Sequence, residues 1–516
     1  MFKNHPKGLI AASLANMGER FGFYIMMAIL TLFISAKFGL GEQTTGYVYS
    51  AFYASIYLLA LVGGVIADRT KKYKATIVAG LVVMALGYVL IAIPTPTPVP
   101  NIALYLTLTC VGLGIIAFGN GLFKGNLQVL IGQMYDDPRY QSARDAGFQI
   151  FYMFINIGGI FAPFMAVGIR NWWLKHNGFD YSAELPALCH QYLREGSSMP
   201  EQAMQNLQSL AAKVSGNEVS DLQSFVNQYL DVFSRGFHYA FIAAVVMICV
   251  SAIIFLVNQK KFPDPSKKEV AAQAGATSAS EVQMSAAEIK QRIYALFAVF
   301  GVVIFFWMSF HQNGYSLTYF ARDYVDLSVI KIDLGFTVIK GAEIFQSVNP
   351  LIVVCLTPLV MYVFGRLREQ GKEPSAPRKI AIGMGIAALA YVFLMLCSLS
   401  LPNQSTLGSL TEAAKHDMLL TPWVMVGMYF ILTLAELFIS PLGLSFVSKV
   451  APPHLQGVMQ GAWLAATALG NSLLFIGGVL YTSVPLWACW LVFVGACAAS
   501  MITMLAMVKW LERVAK

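Results

Sequence analysis

Four ionisable side chains stand out inside long apolar stretches of this 516-residue chain, and together they could bind a small charged molecule. They are Glu19 and Arg20 in the first stretch, Lys124 in the fourth and Glu436 in the tenth. If these stretches cross a bilayer, each charge is costly unless it faces a partner or a water-filled cavity. Two cations in the first half of the chain and one anion in the second predict a cavity with a positive and a negative wall. Such a cavity suits a zwitterion with separated ends, such as a short peptide.

Each of these charges shares a helix face with other polar side chains, because residues three or four positions apart are neighbours on a helix. The three faces are formed by Asn16, Glu19, Arg20 and Tyr24; by Asn120 and Lys124; and by Thr433, Glu436 and Ser440. The alternative is that these groups form buried ion pairs that only fix helix packing. Buried ion pairs are weak devices for stability, which favours a functional role.

The composition places these charges in a membrane protein. Charged residues make up 12% of the chain, about half of the roughly 25% typical of soluble proteins, and hydrophobic residues make up 57%. These values exclude an ordinary soluble enzyme, a disordered chain and a nucleic-acid-binding domain. The seven cysteines form no CxxC pair, so we expect no metal site, and we expect no cofactor.

Twelve stretches are long enough to cross a bilayer core, which needs about 20 apolar residues per helix. Their approximate limits are 9–36, 45–67, 75–95, 101–131, 146–171, 236–258, 292–321, 342–365, 379–400, 420–448, 456–481 and 484–508. The polar segment 259–291 is predicted to be a cytoplasmic linker between two six-helix halves, residues 1–258 and 292–516. Segment 172–235 contains amphipathic stretches and is predicted to form a small helical extracytoplasmic insert.

The loops also predict the orientation of the chain. Lysine and arginine are about twice as numerous in the loops on the side of the two termini as in the loops on the other side. Basic residues collect in cytoplasmic loops, so both termini are predicted to be cytoplasmic.

Several sequence blocks resemble those of one family. Residues 16–24, NMGERFGFY, resemble the ExxERFxYY signature of proton-dependent oligopeptide transporters, a family (POT/PTR) of the major facilitator superfamily. Residues 151–159, FYMFINIGG, resemble the FYxxINxG signature of the same family. Further similar blocks lie at 119–124, 345–350 and 436–445, and the resemblance extends over all twelve apolar stretches in order.

The resemblance implies an all-α membrane protein with the twelve-helix facilitator fold. It also implies proton-coupled symport of di- and tripeptides by alternating access. The protein would be a multi-pass protein of the cell membrane, expected in the bacterial inner membrane and functional as a monomer. Its partners would be small peptides, protons and lipid, with no nucleic acid, and it would not be an enzyme. The alternative is a carrier of another small zwitterion or anion with altered or absent proton coupling.

The resemblance also assigns roles to individual residues. Arg20 and Lys124 would receive the peptide carboxylate, and Glu436 would hold the amino terminus. The remaining substrate-binding residues would be Tyr24 and Tyr57 on the carboxylate side, Asn156 and Asn349 beside Glu436, and Trp307 and Trp463 as walls of side-chain pockets. For the two tryptophans, helix packing is the alternative.

Three departures from the family pattern affect proton coupling. Asn16 replaces a glutamate, Met27 replaces an arginine and His311 replaces an acidic residue. We expect protonation to pass through Glu19 and His311, with the neighbouring cations Arg20 and Lys124 taking part, because histidine changes charge near neutral pH. The alternative for His311 is a neutral, hydrogen-bonded side chain that fixes a helix contact.

The end of the second stretch matches the facilitator loop pattern at Gly64, Asp68 and Arg69. A small glycine lets helices approach, and Asp68 could pair with basic groups or a helix end across a cytoplasmic gate. The alternative is a solvated loop.

Overall fold

The computed structural model describes residues 5–135, 137–140, 144–263, 285–452 and 455–515. Within these residues twelve helices are long and apolar enough to cross a membrane. The chain is therefore an all-α, multi-pass membrane protein, and the twelve predicted spans are confirmed.

The first half contributes six of these spanning helices. They are α1 (Gly8–Phe38), α2 (Glu42–Thr70), α3 (Tyr73–Ala92), α4 (Ile102–Met134), α5 (Arg144–His176) and, after the insert, α8 (Leu222–Asn258). Gly39 ends α1 with a left-handed φ of 63°, and the Asn101 side chain caps the start of α4. Helices α2 and α4 meet backbone to backbone, because a Cβ at Gly63 would lie 2.1 Å from the carbonyl oxygen of Gly121.

The insert is helical, as the sequence predicts, and it is partly continuous with the spans. Helices α6 (Leu185–Glu195) and α7 (Glu201–Ser215) are separate elements. The amphipathic stretch that follows forms the first turns of α8, which has 37 residues and is therefore about 55 Å long. Asp221 caps that helix by accepting a hydrogen bond from the Ser224 amide at 3.0 Å. The apolar sixth span thus extends well beyond the membrane as one rigid helix.

The second half contains nine α-helices in the described residues. They are α9 (Ala286–Phe310), α10 (Ser316–Tyr324), α11 (Val348–Glu369), α12 (Ala376–Cys397), α13 (Glu412–Met418), α14 (Trp423–Val450), α15 (Gln456–Ser472), α16 (Phe475–Ser483) and α17 (Leu486–Val514). A 3-10 turn, His311–Gly314, interrupts the predicted stretch 292–321. Another, Ala342–Ser347, precedes α11.

A short hairpin lies between α10 and α11. Strand β1 (Ile332–Asp333) pairs antiparallel with β2 (Val338–Ile339), and Ile332 lies opposite Ile339. The hairpin docks on the end of α5: the Thr337 hydroxyl donates to the Gly168 carbonyl at 2.6 Å, and Asn171 donates to the Val338 carbonyl at 2.6 Å. Of the predicted linker 259–291, residues 264–284 lie outside the described residues.

The two halves are joined by polar contacts on the side that carries α6 and α7, which we call the insert side. These contacts include Ser35 with Tyr319, Glu42 with Arg322, Arg170 with Glu343, Glu184 with Lys415, and Asn206 with the Leu410 carbonyl. The opposite side, which carries both termini, is called the terminal side. The contacts hold the protein in a conformation that is closed on the insert side.

Candidate functional site

Arg20 is held in position by its neighbour in the sequence. Its Nε and Nη2 atoms donate to the two carboxylate oxygens of Glu19, at 2.5 and 2.6 Å, and both side chains are buried. Asn120 on α4 donates a further hydrogen bond to Glu19 at 2.7 Å. These hydrogen bonds to Glu19 fix the guanidinium of Arg20. The Nη1 group of Arg20 has no hydrogen-bond partner among the described residues. A ligand carboxylate could accept from that group.

Lys124 on α4 brings a second cation to the same region. Its Nζ atom lies 4.5 Å from the centre of the Tyr57 ring, and the side chain is half-buried. It lies close enough to Arg20 and Glu19 to interact with their charges, and it forms no salt bridge in the part of the chain that the structure describes. Two neighbouring cations with a single internal carboxylate leave an excess of positive charge, which favours an anionic ligand.

Glu436 provides the negative wall from the second half. Asn349 on α11 donates to its carboxylate at 2.9 Å and to the Thr433 hydroxyl, also at 2.9 Å. Both N–H groups of the amide are thereby used, which leaves the amide oxygen as an acceptor beside the carboxylate. The charge of Glu436 acts on Tyr24 and Tyr57 in the first half, so these predicted residues lie around one space between the halves.

Asn156 is anchored to its own helix, and its predicted place beside Glu436 stays a prediction. Its amide nitrogen donates to the Tyr152 carbonyl at 3.0 Å. The amide oxygen is the group that could meet an ammonium. Tyr152 is 46% exposed, and the charge of Glu436 acts on it as well, so Tyr152 belongs to the same space although the sequence did not point to it.

The two tryptophans differ in their surroundings. Trp463 is buried, packs edge-on against Phe300 at 6.1 Å between ring centres, and covers Gly443 so closely that a Cβ there would overlap the indole. This environment fits the helix-packing alternative. Trp307 is also buried, but its Nε1–H has no hydrogen-bond partner among the described residues. That free donor makes Trp307 the better candidate for a pocket wall.

His311 lies where α9 ends, in contact with both halves. Its ring stacks on Trp307 at 4.9 Å and contacts Tyr53 of α2 at 4.6 Å. Its Nδ1 atom lies 2.6 Å from the amide oxygen of Asn471, which can only accept, so Nδ1 carries the proton and Nε2 is left as an acceptor. Lys124 is the charged group that acts on His311 from the first half. A neutral, hydrogen-bonded histidine matches this geometry, and a role in proton transfer stays a prediction.

The gate pattern at the end of α2 is only partly described. Gly64 faces open space, whereas the close approach of helices occurs at Gly63, so the reason given for Gly64 applies to its neighbour. Arg69 is exposed on the last turn of α2. The side chain of Asp68 lies outside the described residues.

Sequence reasoning overlooked a second pair of charges, Arg170 and Glu343. They form an ion pair between α5 and the turn before α11, and both side chains are fully buried. A signal was available, because Arg170 lies within the predicted stretch 146–171 and Glu343 within 342–365. Each of them stands one position from the boundary of its stretch, so neither lies clearly inside an apolar core.

Comparison with known proteins identifies the family. A family model, PTR2 of the POT family, matches residues 74–284 and 266–486. This chain belongs to the POT family. The predicted resemblance is confirmed, and this POT family member is a transporter and not an enzyme.

Curated relatives cover nearly the whole chain. Peptide transporter YePEPT of Yersinia enterocolitica subsp. palearctica is 27% identical over 493 residues, which is 91% of this chain and 87% of the relative. Dipeptide and tripeptide permease B of Yersinia enterocolitica serotype O:8 is 28% identical over 486 residues, 92% of this chain and 86% of the relative.

Solved structures confirm the facilitator fold of this POT family member. A crystal structure of peptide transporter POT in complex with sulfate matches with a TM-score of 0.70 and 23% identity, covering 100% of this chain and 96% of that one. A POT family transporter in complex with 5-aminolevulinic acid matches with a TM-score of 0.68 and 19% identity, covering 100% of this chain and 98% of that one.

Proposed function

We propose that this protein imports di- and tripeptides across a bacterial cell membrane by alternating access, driven by inward proton movement. The names of the Yersinia relatives support the substrate class. The observation that carries the proposal is that Tyr24 and Tyr57 lie within reach of charges from both halves, Arg20 in the first and Glu436 in the second. Lys124 adds a second cation, 4.5 Å from the centre of the Tyr57 ring. A peptide is a zwitterion whose two ends match these two walls.

The carboxylate end of the peptide binds at Arg20 and Lys124. Arg20 is already oriented by Glu19 and Asn120, so little conformational entropy is lost when a ligand binds. Lys124 has the Tyr57 ring on one side, and a carboxylate would supply the counter-charge that it lacks within the described residues. Tyr24 and Tyr57 line this end, and their aromatic surfaces tolerate varied peptide side chains.

The amino end binds at Glu436. An ammonium requires acceptors, and the carboxylate of Glu436 stands beside the amide oxygen of Asn349. Asn156 adds an acceptor from the first half, and Trp307 lines the adjacent side-chain pocket. A simple anion has no use for the carboxylate, so retention of Glu436 favours a substrate with an amino group.

The transport cycle moves two rigid halves, residues 1–258 and 292–516, joined by the linker 259–291. With both termini in the cytoplasm, the insert side faces outward, so the contacts across that side close the described conformation to the outside. One copy of the chain contains both walls of the cavity, so a monomer is sufficient. Protons act through the group formed by Glu19, Arg20, Lys124 and His311.

Uptake into proteoliposomes tests this proposal. Labelled dialanine is offered with and without an inward proton gradient, to the native protein, to Glu436→Gln and to the matched control Glu218→Gln, which changes an exposed glutamate of the insert. We expect gradient-driven accumulation in the native protein and in the control, and its loss in Glu436→Gln.

The other outcomes distinguish the alternatives. Peptide binding and exchange without accumulation in the native protein would indicate a carrier without proton coupling. The substitutions at Met27 and His311 would then account for that loss. Absence of peptide binding would reject the substrate class and direct the search to other small zwitterions or anions.

A further inference from the structure

The ion pair between Arg170 and Glu343 joins the two halves inside the protein. Arg170 lies on α5, near the end that reaches the insert side, and Glu343 lies in the 3-10 turn Ala342–Ser347. Both side chains are 0% exposed, and the pair is formed by Arg170 Nη1 and Glu343 Oε1. The other described ion pairs across the insert side, such as Glu42 with Arg322, retain some exposure to solvent.

If the pair separated, Arg170 would keep other neighbours and Glu343 would lose its hydrogen-bond partner. Arg170 also donates from Nε to the Asn171 side chain at 3.0 Å, and its guanidinium lies 4.1 Å from the Tyr181 ring and 5.4 Å from the Phe237 ring. These three neighbours belong to the first half and would stay with Arg170. Glu343, in contrast, has Arg170 as its hydrogen-bond partner at Oε1 and no partner at Oε2 within the described residues.

The surroundings of Glu343 contain few other charges. The charges of both members of the pair act on Tyr181, and so does the charge of Arg322. Arg322 is itself engaged by Glu42 and Asp323, at 2.9 and 2.5 Å. The carboxylate of Glu343 therefore relies on Arg170 for its charge balance.

Neighbouring atoms pack closely around the carboxylate of Glu343. A Cβ at Gly341 would lie 2.3 Å from Glu343 Oε2 and 2.9 Å from Arg170 Nη2, so a side chain there would displace the ends of this buried pair. The buried hydroxyl of Ser347 has no hydrogen-bond partner in the described part of the chain. Asn349, which donates to Glu436, follows two residues later in the sequence.

Opening of the insert side must separate α5 from this turn and remove Arg170 from Glu343. An unpaired carboxylate at that depth is costly, and a bound proton removes its charge. We propose that Glu343 binds a proton from water on the insert side when the gate opens and releases it towards the central cavity when Arg170 returns. The O–H bond of the carboxyl group forms as an O–H bond of a hydronium ion breaks, and on release the proton returns to water. The pair is then both an outer gate and a proton site, an inference that rests on the proposed proton-coupled transport.

The test compares Glu343→Gln, which imitates the protonated group, with Glu42→Gln, which removes the charge of a neighbouring cross-half pair. Hydrogen–deuterium exchange of the hairpin and the end of α5 is followed at about pH 5.5 and about pH 7.5, corrected for intrinsic rates. In the native protein we expect more exchange at the lower pH. Glu343→Gln should show the higher exchange at both values, whereas Glu42→Gln should keep the difference between them.

Transport provides the second measurement. Glu343→Gln should lose accumulation driven by a proton gradient and retain counterflow of labelled dialanine, and Glu42→Gln should retain both. Accumulation by Glu343→Gln with native proton dependence, or an unchanged pH difference in its exchange, would overturn the proposal.

A third variant covers the case in which glutamine prevents folding. Glu343→Asp keeps an ionisable group at a greater distance from Arg170, so we expect proton-driven accumulation with a shifted pH midpoint. An unchanged midpoint would contradict the proposal. If the native protein does not accumulate peptide at all, the proposed function fails, while the exchange experiment still decides whether Glu343 controls the gate.

Discussion

Replacing Asn349 by alanine should weaken binding of the peptide amino end without removing the charge that attracts it. Asn349 joins Glu436 to Thr433 through two hydrogen bonds of 2.9 Å, and it supplies the acceptor oxygen beside the carboxylate. The Asn349→Ala variant loses the orientation of Glu436 and that acceptor together. The ion pair between Glu436 and the ammonium remains possible, so binding is weakened and not abolished.

The magnitude follows from the bonds that are lost. A hydrogen bond to a charged group contributes about 1.5–3 kcal/mol. Since 1.4 kcal/mol corresponds to a factor of ten in Kd, we expect dialanine binding to weaken by about 10- to 100-fold. The smaller weakening, about tenfold, applies if a water molecule replaces the amide beside Glu436. The Thr433→Val variant breaks a neutral bond of about 0.5–1.5 kcal/mol and should therefore have a smaller effect.

The assay compares two ligands in detergent solution by equilibrium binding. Dialanine carries an ammonium group, and N-acetyl-dialanine presents the same carboxylate without it. Asn349→Ala should weaken binding of dialanine and leave the weaker binding of N-acetyl-dialanine unchanged. Equal losses for both ligands would show a general disturbance of the cavity. A Kd for dialanine within about twofold of the native value would refute the role of Asn349 in orienting Glu436.

Three further predictions concern other parts of the molecule. Lys124→Gln should weaken binding of dialanine by about tenfold or more and have little effect on dialanine amide, as measured by the same binding assay, because only the free carboxylate uses the cation. Gly63→Ala should lower the melting temperature, because its Cβ would meet the Gly121 carbonyl at 2.1 Å, whereas Gly64→Ala should leave it unchanged since that position faces open space. Burial lowers the pKa of His190 in α6, so the neutral form of this histidine favours the docked insert. Docking is retained at pH values above the ordinary histidine pKa. It is weakened as the pH falls from that value towards the lowered pKa of His190. Hydrogen–deuterium exchange of residues 185–195 should therefore rise in acid, and His190→Gln should remove that rise.

The spanning helices could be predicted because the bilayer demands a simple pattern. A run of about 20 apolar residues has few structural alternatives, and each of the twelve predicted stretches corresponds to a described span. Helix α7 could be predicted for a related reason: its apolar residues recur at helical spacing, and Leu207, Leu210 and Ala211 are buried on one face. These features depend on local sequence.

The contacts made by the charges could not be obtained from local sequence. Spacing placed Glu19 and Arg20 on one helix face, but it gave no sign of the hydrogen bond that Asn120 of another helix donates to the Glu19 carboxylate. The pairing of Arg170 with Glu343 joins residues 173 positions apart. Such contacts follow from how separate helices pack against one another, and hydropathy carries no information about that arrangement.

The distribution of polar links suggests how substrate and conformation are coupled. On the insert side, built-in ion pairs such as Glu184 with Lys415 connect the halves directly. Around the cavity, each half instead stabilises its own charge: Arg20 is bound by Glu19, and Glu436 by Asn349. No hydrogen bond or ion pair among these four cavity residues crosses between the halves. A bound peptide, with one charge for each wall, would supply that cross-link, so closure of the terminal side should be favoured by ligands that carry both ends and not by ligands that lack either one.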